Sequence, residues 1–148
     1  MKPRIVLTVG LPGSGKSTYL RARGIEPLSS DSLRHLLADS PEDQTIHVRV
    51  FAALRYLLRQ RLAIGRPVSY VDATHLAPAE RAPYRPIAEA FGCDLEALYF
   101  DVPLEVCLAR NRARSRVVPE EAMAAMAARL VPPSEEEGFA RITVISGT

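Results

Sequence analysis

Apolar residues along this chain follow two rhythms that alternate from the N-terminus onward. Ile5 to Val9 is a short continuous apolar run with β-branched residues, which predicts a strand buried on both faces. A glycine-rich turn follows, then a short helix from Lys16 to about Arg23. Ile25 to Ser29 reads as a second, short strand, and Ser30 or Asp31 can cap a helix running through Ala38. After a polar loop at Asp39 to Asp43, the residues Ile46, Val50, Leu54, Leu57 and Leu58 recur at helical spacing, giving an amphipathic helix that ends near Gly65.

The second half repeats the alternation. Pro67 to Val71 predicts a third strand closing on Asp72, and Pro78 to Ala90 a helix made irregular or broken by Pro83 and Pro86. Leu95 to Phe100 predicts a fourth strand ending on Asp101, followed by a helix from Leu104 to about Arg112. Pro119 stands where a first helical residue is favoured, with Glu120 and Glu121 in the first turn and an apolar stripe of Met123, Met126, Ala127 and Leu130. Pro132-Pro133 ends that helix, Ser134 and Glu137 offer a capping box, and Ile142 to Ile145 is the last strand. Strands alternating with helices imply an α/β fold, a parallel sheet with helices on both faces. The pattern shows no repeat and no second domain, so residues 1–148 are expected to form one unit.

Composition changes this picture little. The 148 residues are 47% hydrophobic and 24% charged, the balance of a globular chain. No apolar stretch reaches the roughly 20 residues needed to span a bilayer, and no leader is evident, so the expectation is a cytoplasmic protein without a membrane partner. Cys93 and Cys107 are expected to be free, half-buried thiols in a reducing cytosol. A net charge of +2 excludes a surface built to grip long nucleic acid, though a few placed arginines can still read one strand end. Lys2 and Lys16 are the only lysines, which makes Lys16 conspicuous.

Lys16 closes Gly10-Leu11-Pro12-Gly13-Ser14-Gly15-Lys16-Ser17, a full G-x-x-x-x-G-K-[ST] motif set between a predicted strand and a predicted helix. Its glycines let backbone N–H groups curl inward on phosphate oxygens, and the helix adds its positive end. The cofactor-binding set is Gly10, Pro12, Gly13, Ser14, Gly15, Lys16, Ser17 and Thr18: Lys16 reaches the β- and γ-phosphates, and Ser17 is the metal ligand for Mg²⁺. The competing reading, a glycine-rich turn with a surface lysine, leaves the completeness of the motif unexplained. The chain is therefore expected to be a P-loop NTPase that uses ATP or another NTP with Mg²⁺.

Phosphoryl transfer to a hydroxyl also needs a base for the acceptor and cations for the spreading charge. Asp31 and Arg34, three residues apart, share a helix face; one suits a hydroxyl proton and the other an adjacent anion. A helix cap with an ordinary ion pair is the plain alternative. Asp72, at the carboxyl end of a strand, can serve a magnesium-bound water or the acceptor, or be a strand-ending turn residue. His75 stands near the same edge, where a lone histidine is more often structural. Arg110, Arg112, Arg114 and Arg116 form a short basic run, either a solvated surface or a mobile lid; Arg110 and Arg114 share a face if the helix continues. Met123, Met126, Phe51 and Phe91 are read as core.

These segments together resemble the polynucleotide 5′-hydroxyl kinase family, the kinase modules of nucleic-acid end-healing enzymes. The likeness is carried by Gly-Leu-Pro-Gly-Ser-Gly-Lys-Ser-Thr, Ser30-Asp31-Ser32-Leu33-Arg34, Val71-Asp72-Ala73-Thr74, Phe100-Asp101-Val102-Pro103, Arg110-Asn111 to Arg114, Val118-Pro119, and Pro133 to Phe139. It implies an adenylate-kinase-like five-stranded sheet in the order 2-3-1-4-5 with a short lid. It implies that Asp31 is the general base for the 5′-hydroxyl of DNA or RNA. Arg34 would hold the phosphate 3′ of the end nucleoside, and Asp72 would help shape the acceptor pocket. Arg114 would be the lid arginine on the donor phosphates, so that Lys16, Asp31, Arg34 and Arg114 form the catalytic set, while Arg110 would border the adenine. His75 stands where the family usually has asparagine. Phosphatase or ligase partners, domains of many members, would be separate chains. A kinase of a small metabolite or antibiotic, and a nucleotide-binding module without transfer, are the competing functions.

Overall fold

The computed structural model describes residues 2–114 and 117–147. The last arginine of the basic run, Arg116, lies outside the described residues. Five strands, β1 (Arg4–Val9), β2 (Leu28–Ser29), β3 (Val68–Asp72), β4 (Asp94–Asp101) and β5 (Arg141–Ser146), make one sheet in the order β2-β3-β1-β4-β5. Every pairing is parallel. This is the order that the family resemblance implied. β1 is central, pairing with β3 on one side and β4 on the other, and Ile5, Leu7 and Val9 are fully buried. That explains its near-continuous apolar run, since both faces are covered.

β2 is shorter than the predicted Ile25 to Ser29. Pro27 lacks an N–H, and pairing with β3 is confined to Leu28 and Ser29 at the sheet edge. Helices α1 (Lys16–Ala22), α2 (Ser30–Ala38) and α3 (His47–Ala63) follow the first two strands. The cap of α2 is Ser29, whose side chain accepts from Ser32 N at 3.2 Å, one residue before the predicted position. In α3 the buried stripe is Val50, Leu54, Leu58 and Leu62; Leu57, expected inside, is 37% exposed. The predicted Pro78–Ala90 helix is two pieces, α4 (Pro78–Arg81) and α5 (Tyr84–Phe91), parted at Ala82-Pro83. Pro86 is tolerated because it falls in the first turn of α5, where no intrahelical donor is required. Phe91, read as core, is 37% exposed.

Helices α6 (Leu104–Arg112) and α7 (Glu120–Arg129) complete the set, with a short 3-10 turn at Glu135–Glu137. The main core joins Ile5, Leu7 and Val9 to Leu54 and Leu58 of α3, Tyr84 and Ile87 of α5, and Leu95 and Ala97 of β4. A second cluster gathers Leu11, Leu76, Val102, Cys107 and Met123 beside the loop that follows β1. Burying each large aliphatic side chain contributes about 1.5–3 kcal/mol, so β1 is anchored from both sides and the loop it launches starts from a fixed point. Cys93 and Cys107 are free, as expected, and buried where half-buried thiols were expected. Among the described residues, no helix is long and apolar enough to cross a membrane.

Candidate active site

The carboxyl ends of β1 and β3 open into one cleft of about 1250 Å³. Its floor is the loop from Pro12 to Thr18. Two glycines there are required by geometry. Gly13 has φ +82°, and a Cβ on it would stand 2.7 Å from the Cys107 carbonyl oxygen of α6; Gly15, the N-cap of α1, has φ +96°. Gly10 does not line the cleft. It sits behind the loop, where its N–H donates to the Thr74 carbonyl at 3.0 Å. The buried Ser14 hydroxyl has no hydrogen-bond partner among the described residues, a donor well suited to an anionic oxygen.

Lys16 is almost wholly buried, and its Nζ donates to the carbonyls of Gly10 at 3.0 Å and Leu11 at 2.8 Å. Burial pulls its pKa from 10.5 down to about 8, opposed by the carboxylates of Asp72 and Asp31. Ser17 Oγ donates to Asp72 Oδ2 at 2.8 Å. The other carboxylate oxygen, Oδ1, lies 3.2 Å from Thr8 Oγ1. Thr8 gives its proton to the Ala73 carbonyl at 2.8 Å and accepts from Ala73 N at 3.1 Å, so one hydroxyl within β1 fixes the strand end that carries Asp72. A hydroxyl and a carboxylate side by side are the hard oxygen donors that Mg²⁺ takes, directly or through water. Residues Ser17 and Asp72 therefore fit the metal implied by the loop.

His75 belongs to the same corner but faces inward. It is 2% exposed, with φ +44°. Its Nδ1 donates to the Thr8 carbonyl at 2.7 Å and its Nε2 accepts from the Tyr84 hydroxyl at 3.1 Å. Burial lowers its pKa from 6.5 to about 4, so it is neutral and structural. Burial also pushes the Tyr84 phenol upward. Next to it, buried Arg81 donates to both oxygens of Glu137, at 2.8 and 3.0 Å, and to the carbonyls of His75 and Leu76. Glu137 also accepts from Ser134 N at 2.9 Å, the expected capping contact. This arginine ties the turn after β3 to the segment before β5, and nothing local in the sequence marked it.

The opposite wall is α2. Asp31 is exposed toward the cleft, with its side chain 56% accessible, and its Oδ1 lies 3.4 Å from Nη1 of Arg34. Arg34 is 5% exposed, its Nη2 lies 3.4 Å from Nδ1 of His47 on α3, and its Nε is buried without an acceptor among the described residues. Arg34 thus bonds to Asp31 and His47, while Asp72 bonds to Ser17 across the cleft.

The third wall is the end of α6. That helix stops at Arg112, so Arg110 and Arg114 are not stacked on one continuous helix, yet both line the cleft. Arg110 Nη1 donates to the Gly13 carbonyl at 3.3 Å. Asn111, fully buried, donates to Val118 O at 2.6 Å and accepts from Val118 N at 2.9 Å, clipping together the two ends of the segment that bears Arg114. Arg112 pairs with Glu120 at 2.7 Å, away from the cleft lining. The missed contributors are Thr8, His47 and Asn111. Thr8, a lone hydroxyl within an apolar strand, carried a signal; His47 carried none.

A family model described as an AAA domain matches residues 5–133. Among solved structures, a protein of Chloroflexus aurantiacus matches with a TM-score of 0.78 at 12% identity, over 100% of this chain and 90% of that one. The Pnkp1/Rnl/Hen1 RNA repair complex matches with a TM-score of 0.72 at 20% identity, over 87% of this chain and 44% of that one. A gluconokinase from Sinorhizobium meliloti matches with a TM-score of 0.61 at 21% identity, over 97% of this chain and 82% of that one. At these identities the likeness is one of fold.

Proposed function

We propose that this chain, which belongs to the AAA-domain family and has the P-loop kinase fold, transfers the γ-phosphoryl group of ATP to the 5′-hydroxyl end of DNA or RNA. The observation that carries this reading is one cleft with a phosphate loop and an oxygen pair on one side, Lys16 and Ser17–Asp72, and Asp31–Arg34 on the other. Lys16 turns from the loop carbonyls to the β- and γ-phosphates, and Arg110 and Arg114 approach from the lid side. Mg²⁺, when bound at Ser17 and Asp72, supplies charge compensation for the phosphate oxygens. Asp31 takes the proton of the acceptor hydroxyl as its oxygen bonds to the γ-phosphorus, while the bond from that phosphorus to the β–γ bridging oxygen breaks and ADP leaves. Arg34 holds the anion beside the hydroxyl, which in a strand is the phosphate 3′ of the first nucleoside.

The likeness to an RNA repair complex supports the acceptor assignment. A small-metabolite kinase is the second reading, favoured by the gluconokinase likeness and by a net charge of only +2. A cytoplasmic protein with separate phosphatase or ligase partners would suit the first reading. Competition separates the two. Labelled ATP is offered with a 5′-OH oligonucleotide and a pool of sugar acids and polyols at equal hydroxyl concentration. Label in the oligonucleotide supports the proposal; label confined to the pool hands the chain to the second reading.

A further inference from the structure

The guanidinium of Arg34 has three nitrogens in three situations. Nη1 meets Asp31, Nη2 meets His47 Nδ1, and Nε is buried with no acceptor among the described residues. Because a guanidinium only donates, the ring nitrogen facing it must accept, which puts the ring proton of His47 on Nε2. His47 is the first residue of α3, and its ring lies 4.7 Å from that of Phe51, one turn further on. Both residues line the cleft beside Arg34. The imidazole is thus supported by an aromatic neighbour on its own helix while its nitrogen faces an arginine on the neighbouring one.

We propose that His47 is a positioning residue of the acceptor site. By accepting from Nη2 it fixes the plane of Arg34, so that the Nε–H and the adjacent edge of Nη2 form a fork for an anion next to the acceptor hydroxyl. Asp31 and His47 each meet one terminal nitrogen at 3.4 Å, and together they fix a plane that the Asp31 side chain, 56% exposed, would hold only loosely by itself. A planar guanidinium held before its ligand arrives loses less freedom on binding. A histidine that merely packed on Phe51 would leave Arg34 indifferent to its ring nitrogens. The identity of the anion, a phosphodiester, rests on the acceptor reading above; the alignment of Arg34 does not.

Two variants test it. His47→Phe keeps the ring contact and removes the accepting nitrogen, while His47→Asn restores an acceptor without the ring. With a short 5′-OH oligonucleotide, His47→Phe should raise the acceptor KM about five- to twentyfold. Its kcat and ATP KM should stay within about twofold, and His47→Asn should recover most of the loss. A nucleoside that has the 5′-hydroxyl but no phosphate should show no change. An unchanged oligonucleotide KM, or an equal rise for the nucleoside, overturns the proposal. A turnover-free readout separates this from the acceptor reading. Imidazole ¹⁵N NMR should show His47 as the Nε2–H tautomer, with an Nδ1 shift that moves in Arg34→Leu. An Nδ1–H tautomer indifferent to Arg34→Leu overturns the positioning role whatever the acceptor; the expected tautomer with no oligonucleotide phosphorylated overturns only the acceptor reading.

Discussion

Replacing Lys16 by methionine should abolish transfer and, at neutral pH, make the protein more stable. Lys16 is 8% exposed, and burial holds its pKa at about 8 instead of 10.5. At about 1.4 kcal/mol for each tenfold change in protonation, keeping it charged below pH 8 costs roughly 3 kcal/mol. Methionine has similar length and no charge, but it strands the carbonyls of Gly10 and Leu11, which now accept from Nζ at 3.0 and 2.8 Å. Losing those bonds takes back about 1–2 kcal/mol. The net gain is about 1–2 kcal/mol, a few degrees in Tm for a chain of this size. The pH dependence fixes the cause. Between pH 8 and 10.5 the unfolded lysine still holds its proton and the folded one has lost it, so the wild type gains stability as pH rises. Lys16→Met has no such gain, and its advantage should shrink steadily and disappear or reverse near pH 10. Urea denaturation followed by far-UV circular dichroism at pH 7, 8, 9 and 10 reads this directly. A variant less stable than wild type at pH 7, or a difference that is flat across that range, would refute the buried-charge argument.

Other consequences concern the walls of the cleft and its supports. Asp31→Asn should lower kcat about 10²- to 10⁴-fold while leaving nucleotide affinity, measured by calorimetry, within a few-fold; an active variant removes Asp31 as the base. Gly13→Ala should cost most of the nucleotide affinity, because φ is +82° and the new Cβ would meet the Cys107 carbonyl at 2.7 Å; unchanged binding would mean that α6 yields easily. Arg81→Met should destabilise the fold by about 3 kcal/mol in urea titration, since it strands Glu137 and the carbonyls of His75 and Leu76. A loss below about 0.5 kcal/mol would make that network ornamental.

Local features were legible in the sequence because their chemistry is local. The phosphate loop is contiguous, Asp31 and Arg34 are separated by one helical turn, and Asp72 ends a strand whose apolar run announces it. The five strands and the parallel sheet followed from alternating periodicity, and the strand order from resemblance. What was missed depends on elements meeting in space. His47 reaches Arg34 across 13 residues because α2 packs on α3, and Arg81 finds Glu137 across 56 residues. Boundaries moved for small reasons: Ser29 caps α2 where Ser30 or Asp31 was expected, and Pro27 shortens β2. The helix α6 ends at Arg112 as its pattern predicted, so the shared face open to Arg110 and Arg114 had the helix continued does not form, and Asn111 holds Val118 by side-chain bonds that no periodicity encodes.

The central claim is that the Asp31 wall and the Lys16 loop act on a single strand end. Its most direct test is transfer of labelled γ-phosphate from ATP, with Mg²⁺, onto matched oligonucleotides ending in 5′-OH or 5′-phosphate, with wild type and Asp31→Ala side by side. The account predicts label on the 5′-OH strand alone, lost in Asp31→Ala. Equal label on both strands, label that persists in Asp31→Ala, or none on either strand while ATP still binds would contradict it.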